Sequence, residues 1–227
     1  MNLSKIHPAF LRYLVESNVP PGERLPTLYE IGAELGISVG KLREQLEVAR
    51  HLGLVSVRPR VGIMRERFSF QTAVLSSLLL GLGTGEAEFE QYSKLRQALE
   101  SAFWHDAVSH LTADDKQLLQ DLVEQAWTKL RGHPIHVPNG EHRQLHLTIF
   151  SRLDNPFVLG LLEAYWDAYE ASELTRYSSY QYWLDVWTYH ERIVDALCGD
   201  EFESGRKLLV EHFALLPVIG QTQEIKK

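Results

Sequence analysis

The chain has 227 residues, of which 44% are hydrophobic and 23% charged, a balance that suits a folded protein with room for two cores. It excludes a membrane-spanning helix, because no apolar run nears the roughly 20 residues one requires, and a disulfide framework, because Cys198 is the lone cysteine. The formal charge of −7 is unevenly divided: through Arg67 there are 10 Lys and Arg against 7 Asp and Glu, and beyond it 13 against 23.

A basic front segment can neutralise phosphates, whereas an acidic remainder resists sliding onto a polyanion. The opening Met1-Asn2-Leu3-Ser4-Lys5 is not followed by the apolar core of a signal peptide, so the expected location is the cytoplasm.

From Pro20 to Met64 the order of signals is that of a winged helix-turn-helix. Thr27 and Glu30 form a capping box that opens a helix with Leu28, Ile31 and Leu35 on its apolar face, and Gly36 ends it. Ser38 is the N-cap of a second helix. Its apolar positions Leu42, Leu46 and Ala49 face the first helix, and Lys41, Arg43 and Gln45 are expected to point outward. Gly53 stops this helix. Leu54 to Arg58 and Ile63 to Arg67 read as two short strands around the basic turn Pro59-Arg60-Val61-Gly62. The second helix is the expected recognition helix, the hairpin the wing, and double-stranded DNA the partner.

Phe68 to Glu88 reads as a linker, with a helix or packed arm over Ala73 to Leu80 and a flexible break at Gly81, Gly83 and Gly85. Beyond it the periodicity predicts helices near 89–109, 113–131, 139–153, 155–175, 179–198 and 201–216. The expected fold is therefore mainly α: a DNA-binding domain over 1–67, a linker over 68–88 and a bundle of six to seven helices over 89–220. All five tryptophans, from Trp104 to Trp187, lie in the bundle, enough to fill a core or line a cavity. Cys198, on the apolar side of its helix, reads as a small buried hydrophobe.

Four of the ten histidines form a pattern. His142 and His146 stand at i and i+4 on one helix, a chelating spacing. His190 and His212, 22 positions apart on the last two helices, can reach similar height. Four neutral imidazoles suit a transition metal, zinc or nickel foremost, with copper and cobalt behind; magnesium and calcium prefer oxygen. The competing reading leaves His142 in solvent within Glu141-His142-Arg143-Gln144 and makes the others hydrogen-bonded core histidines.

These residues resemble the GntR-type regulators, in the FadR-like branch with an all-helical effector-binding domain of the FCD type. In the head the resemblance rests on Pro21-Gly22-Glu23-Arg24-Leu25-Pro26, Leu35-Gly36-Ile37-Ser38, Leu42-Arg43-Glu44, Gly53-Leu54-Val55 and Gly62. In the remainder it rests on Leu95-Arg96 with Leu99-Glu100, Thr112 to Asp115 and Asn155-Pro156. It implies a homodimer that binds operator DNA and responds to a small metabolite, often an organic acid. It also implies a metal held by one Asp and three His: His146, His190 and His212 fall where the histidines belong, and His142 stands where the Asp is expected. Arg96 is a candidate partner for the acid; the alternative is an ion pair with Glu100, four residues on. In the head, Tyr29 and Val39 occupy positions where the family commonly has Arg. That leaves Arg43 as a base or phosphate contact, Lys41 as replacement charge and Arg60 as the wing residue aimed at the minor groove, with Ser38 and Gly62 completing the expected DNA-binding set. Two other readings are a metal-free sensor of an apolar acyl ligand and a metal-dependent enzyme. The enzyme is disfavoured because Glu141, Glu191 and Glu211 adjoin histidines in sequence and so point away from them on a helix.

Overall fold

The computed structural model describes residues 2–173 and 178–215. It divides into two compact units, Met1–Ala73 and Val74–Lys227.

The first unit contains α1 (Ala9–Glu16), α2 (Leu28–Leu35), α3 (Val39–His51) and the strands β1 (Val55–Arg58) and β2 (Gly62–Arg65). The capping box on α2 is complete: the Thr27 amide and hydroxyl both donate to Glu30 Oε2, and the Glu30 amide donates back to Thr27 Oγ1. Ser38 caps α3 by accepting from the Lys41 amide at 3.3 Å. The strands are antiparallel, with Val57 opposite Ile63 and Arg58 opposite Gly62. The backbone of residues 22–25 adds to the far side of β2 through Leu25 N to Ile63 O and Arg65 N to Glu23 O, both 2.8 Å. Gly62 has φ +111°, a conformation that favours glycine, and the Arg24 side chain lies against it, its Nε 3.0 Å from where a Cβ would be.

The sequence reading assigns no helix before Pro20, yet α1 supplies Phe10, Leu11, Tyr13 and Leu14 to a core shared with Leu25, Ile31, Leu42, Leu46, Ala49, Val55 and Ile63. Its N-cap is Pro8, which offers no side-chain cap, and the Phe10 amide donates instead to Gln45 Oε1 at 2.9 Å. This corrects the expectation for Gln45. It is buried because position 45 adjoins Leu46 on the inner stripe of α3, and its amide is tolerated there because it answers a buried donor.

In the second unit the expected glycine break is also corrected. A helix, α4 (Gln71–Thr84), runs through Gly81 and Gly83, and only Gly85, with φ +72°, lies past its end. A helical glycine costs about 1 kcal/mol relative to alanine, which the packing of Leu75, Leu78 and Leu82 against Phe89, Tyr165, Trp166 and Tyr169 offsets. The helix expected over 89–109 is two, α5 (Phe89–Ala102) and α6 (Trp104–Val108), divided at Phe103, whose φ −96° and ψ 8° leave the helical region. There follow α7 (Ala113–Arg131), α8 (Asn139–Phe150), α9 (Pro156–Ala171), α10 (Tyr180–Cys198) and α11 (Phe202–His212). The expected end of one helix at 175 and of the last at 216 lie outside the described residues. Trp104, Leu119, Leu145, Phe150, Leu162, Trp183, Trp187, Leu197 and Leu209 form the main core, with Cys198 half-buried beside it. Asp115 ties α7 to the end of α8: it closes the capping box with Thr112 and takes two bonds from Arg152, at 2.8 and 2.9 Å. Among the described residues no helix is long and apolar enough to cross a membrane.

Candidate functional site

Five helices of the second unit bring their polar side chains to one buried place. α8 contributes His142 and His146, α10 His190, α11 His212, α5 Arg96 and Glu100, and α9 Trp166. All four histidines are buried, so none is a solvated residue. Each can offer a ring nitrogen to a common point, with those nitrogens all within 4.8 Å of one another. His190 Nε2 lies 3.2 Å from both His146 Nε2 and His212 Nε2.

A ring nitrogen has one lone pair or one hydrogen to offer, so His190 Nε2 can form at most one linear hydrogen bond from its two close contacts. Both nitrogens of His142 are buried without a hydrogen-bond partner. A tetrahedral ion about 2.0–2.1 Å from each imidazole nitrogen requires nitrogens roughly 3.3 Å apart. The two 3.2 Å contacts match that spacing, whereas the four nitrogens together spread to as much as 4.8 Å. Burial, helped by neighbouring imidazoles and the Arg96 charge, drives the pKa of all four histidines well below the ordinary value. They are therefore neutral, the form that ligates metal.

The wall is rich in donors. The Arg96 guanidinium stacks over the rings of Tyr165, Trp166 and Phe213 at 4.7–5.3 Å, and it makes an ion pair with Glu100 through Nε and Oε1 at 3.3 Å, both side chains fully buried. None of its three nitrogens makes a well-aligned hydrogen bond. The same Glu100 Oε1 is 3.4 Å from His146 Nδ1, where a carboxylate orients an imidazole whose other nitrogen faces inward. The rings of Trp166, Trp183 and Trp187 surround His142 at 4.7–6.4 Å, and their indole nitrogens are buried without partners. Sequence reasoning missed Glu100 as a histidine partner and these three indoles. The i and i+4 spacing of Arg96 and Glu100 was the available signal for the former, whereas tryptophans in an apolar pattern carry none. A separate groove of about 650 Å³, lined by Val123, Trp127 and Val194, includes none of the four histidines.

In the first unit, Lys41 and Arg43 are exposed on α3 and Arg60 on the hairpin loop. Among the described residues none of the three is tied up in a salt bridge or side-chain hydrogen bond. Arg60 has φ +63°, a left-handed conformation that costs a non-glycine residue roughly 1 kcal/mol and turns the tip of a three-residue loop. Ser38 spends its oxygen on the cap of α3, and Gly62 holds the base of the wing.

The FCD domain model matches residues 91–215, more than half of the chain. The chain belongs to the FCD domain family. With the winged head in front of that domain, it is a GntR-type regulator of the FadR-like branch, and it is not an enzyme. It is 25% identical over 212 residues to the "Putative L-lactate dehydrogenase operon regulatory protein" of Escherichia coli (strain K12), a match covering 88% of this chain and 79% of that protein. The protein of the same name from Shigella flexneri matches equally. The fold is that of the Streptococcus agalactiae GntR structure, with a TM-score of 0.66 at 18% identity, covering 91% of this chain and 94% of the other.

Proposed function

We propose that this regulator binds a palindromic operator as a dimer, through a DNA-binding domain over residues 1–67 joined by a linker over 68–88. In this reading the effector domain over 89–220 holds a transition metal, zinc or nickel, and senses a small organic acid. The observation that carries it is the convergence of four neutral, buried imidazoles beside a buried arginine whose nitrogens lack well-aligned partners. His142, His146, His190 and His212 would hold the metal, which would supply a Lewis-acidic centre for a carboxylate. Arg96 and the indoles of Trp166, Trp183 and Trp187 would supply the remaining donors, which favours an acceptor-rich acid over an apolar acyl chain. The name of the Escherichia coli relative makes L-lactate and similar 2-hydroxy acids the first candidates. Replacing the family's Asp by His142 removes one negative charge from the donor set, which favours nitrogen-binding metals and an anionic effector. The effector would act by its differential affinity for two arrangements of the protein.

The test is elemental analysis of untagged protein purified without metal resin, followed by thermal shift with L-lactate in the presence and absence of metal. A stoichiometric metal, a metal-dependent shift by a 2-hydroxy acid and its loss in Arg96→Gln are expected. A metal-free protein that is stabilised by fatty acids instead would overturn the reading.

A further inference from the structure

In a helix-turn-helix the second helix enters the major groove while the first crosses the sugar-phosphate backbone. The first helix here is α2, Leu28-Tyr29-Glu30-Ile31-Gly32-Ala33-Glu34-Leu35. It contains no lysine or arginine, and no serine, threonine, asparagine, glutamine, histidine or tryptophan. Ile31 and Gly32 are buried in the head. Glu30 is turned back on Thr27 by the capping box, and Glu34 can only repel a phosphate. We infer that Tyr29 is the phosphate contact of α2, its hydroxyl being the one side-chain donor this helix can give to a DNA backbone.

Three observations meet at this residue. Tyr29 is 78% exposed, more than any other large hydrophobic side chain among the described residues. It takes part in no hydrogen bond, ring stack or salt bridge there, so the folded head has no structural use for it. It also stands at the N-terminal end of α2, two residues past the Thr27 cap. A single exposed aromatic residue is ordinary on a protein surface; what sets this one apart is its place on a helix that has no other donor to present. Tyrosine hydroxyls are among the side chains that bond phosphate oxygens and so set the register of a protein on the duplex.

The contact has a distinctive signature because the phenol is neutral. A lysine or arginine that neutralises a phosphate releases a counterion and steepens the fall of affinity with salt, whereas a neutral donor does not. Loss of the Tyr29 hydroxyl should weaken binding at every salt concentration by the same factor.

The inference rests on the DNA-binding reading of the head, and the experiment separates the two. A duplex selected by the full-length protein from random sequences is titrated with wild type, Tyr29→Phe, Tyr29→Ala and Arg43→Ala across a salt series, and melting temperatures are recorded. Tyr29→Phe is expected to bind about three- to tenfold more weakly, the range of one net hydrogen bond. Its salt slope and melting temperature should equal those of the wild type, and Tyr29→Ala should be at least as weak. Arg43→Ala should weaken binding and lower the slope by about one. Wild-type binding by Tyr29→Phe alongside a weakened Arg43→Ala overturns the tyrosine contact and leaves the DNA reading standing. A slope that falls in Tyr29→Phe, or a loss confined to Tyr29→Ala, also overturns the hydroxyl as the contact. If neither Tyr29→Phe nor Arg43→Ala alters binding, the orientation of the head on DNA is wrong and both readings fall.

Discussion

Histidine 142 sits in a box of aromatic rings with both nitrogens free of hydrogen bonds, an arrangement that stability alone would not select, because an unpartnered buried polar group costs about 1–3 kcal/mol. If a metal repays that cost, His190→Ala should lower bound metal and melting temperature together, since an ion bound only by the folded state stabilises it. His110→Ala should do neither, because that ring is exposed and bonded only to its own turn, at Asp106 O and Ser109 Oγ. Elemental analysis with paired melting curves checks this, and equal metal content in the wild type and His190→Ala would sink it. His142→Asp should move competitive loading of a nickel and manganese mixture toward manganese, because a carboxylate hardens the donor set; an unchanged ratio would mean that position 142 does not ligate. The titration of the cluster adds a pH prediction. The four imidazoles stay neutral in the folded chain well below the ordinary value but accept protons once unfolded. Metal-free protein should therefore lose stability as pH falls below about 6.5, since the unfolded state then binds more protons.

At the scale of elements, the tie between α7 and α8 gives a separate acid-limb prediction. Bonds from Arg152 and Thr112 hold the Asp115 carboxyl below the usual carboxylate range. A depressed pKa contributes stability that is present above the unfolded value, near 3.9, and lost as pH falls through the folded one. Asp115→Asn should thus be less stable than wild type at pH 7, with the gap closing in acid. Because every tryptophan lies in the second unit, indole fluorescence in urea measures it there, and a gap as wide at pH 2 as at pH 7 would refute the account. Gln45→Ala should do the converse: it leaves the buried Phe10 amide without its acceptor, at about 1–3 kcal/mol, and should shift the circular-dichroism transition of the head while leaving the tryptophan transition in place. The same elements show what local pattern can carry. The capping box of Thr27 and Glu30, the two helices and hairpin of the head and the i and i+4 histidine pair are written within a few residues and were legible, whereas the capping boxes at Glu88 and Thr112 were not read. Helix α1 was not, because its start lacks a side-chain cap and is completed by Gln45, 35 residues away. The course of α4 through two glycines depends on leucines packing against α9, and the burial of Arg96, Glu100 and the indoles depends on five helices meeting. No window along the chain contains those facts.

For the molecule as a whole, the division of charge bears on the proposed dimer. A head with about three surplus positive charges can release few counterions, and each phosphate neutralised contributes a salt slope of only about 0.9 on B-DNA. One head would therefore discriminate poorly, whereas two joined through their effector domains, as proposed, would gain from effective concentration without any new contact. A pair related by a twofold axis reads two copies of the same half-site in inverted orientation. Duplexes selected from random sequence by the full-length protein should accordingly contain an inverted repeat, with half-site centres about 10 base pairs, or a multiple of that, apart. Inserting five base pairs between the half-sites should abolish most of the affinity, because it rotates one site to the opposite side of the helix, whereas inserting ten should restore part of it. Light scattering of the same preparation should give twice the 26.0 kDa of one chain. A selected site with a single unrepeated element, bound by a monomer with undiminished salt dependence, would show that the head recognises DNA alone and that the acidic domain serves some purpose other than pairing it.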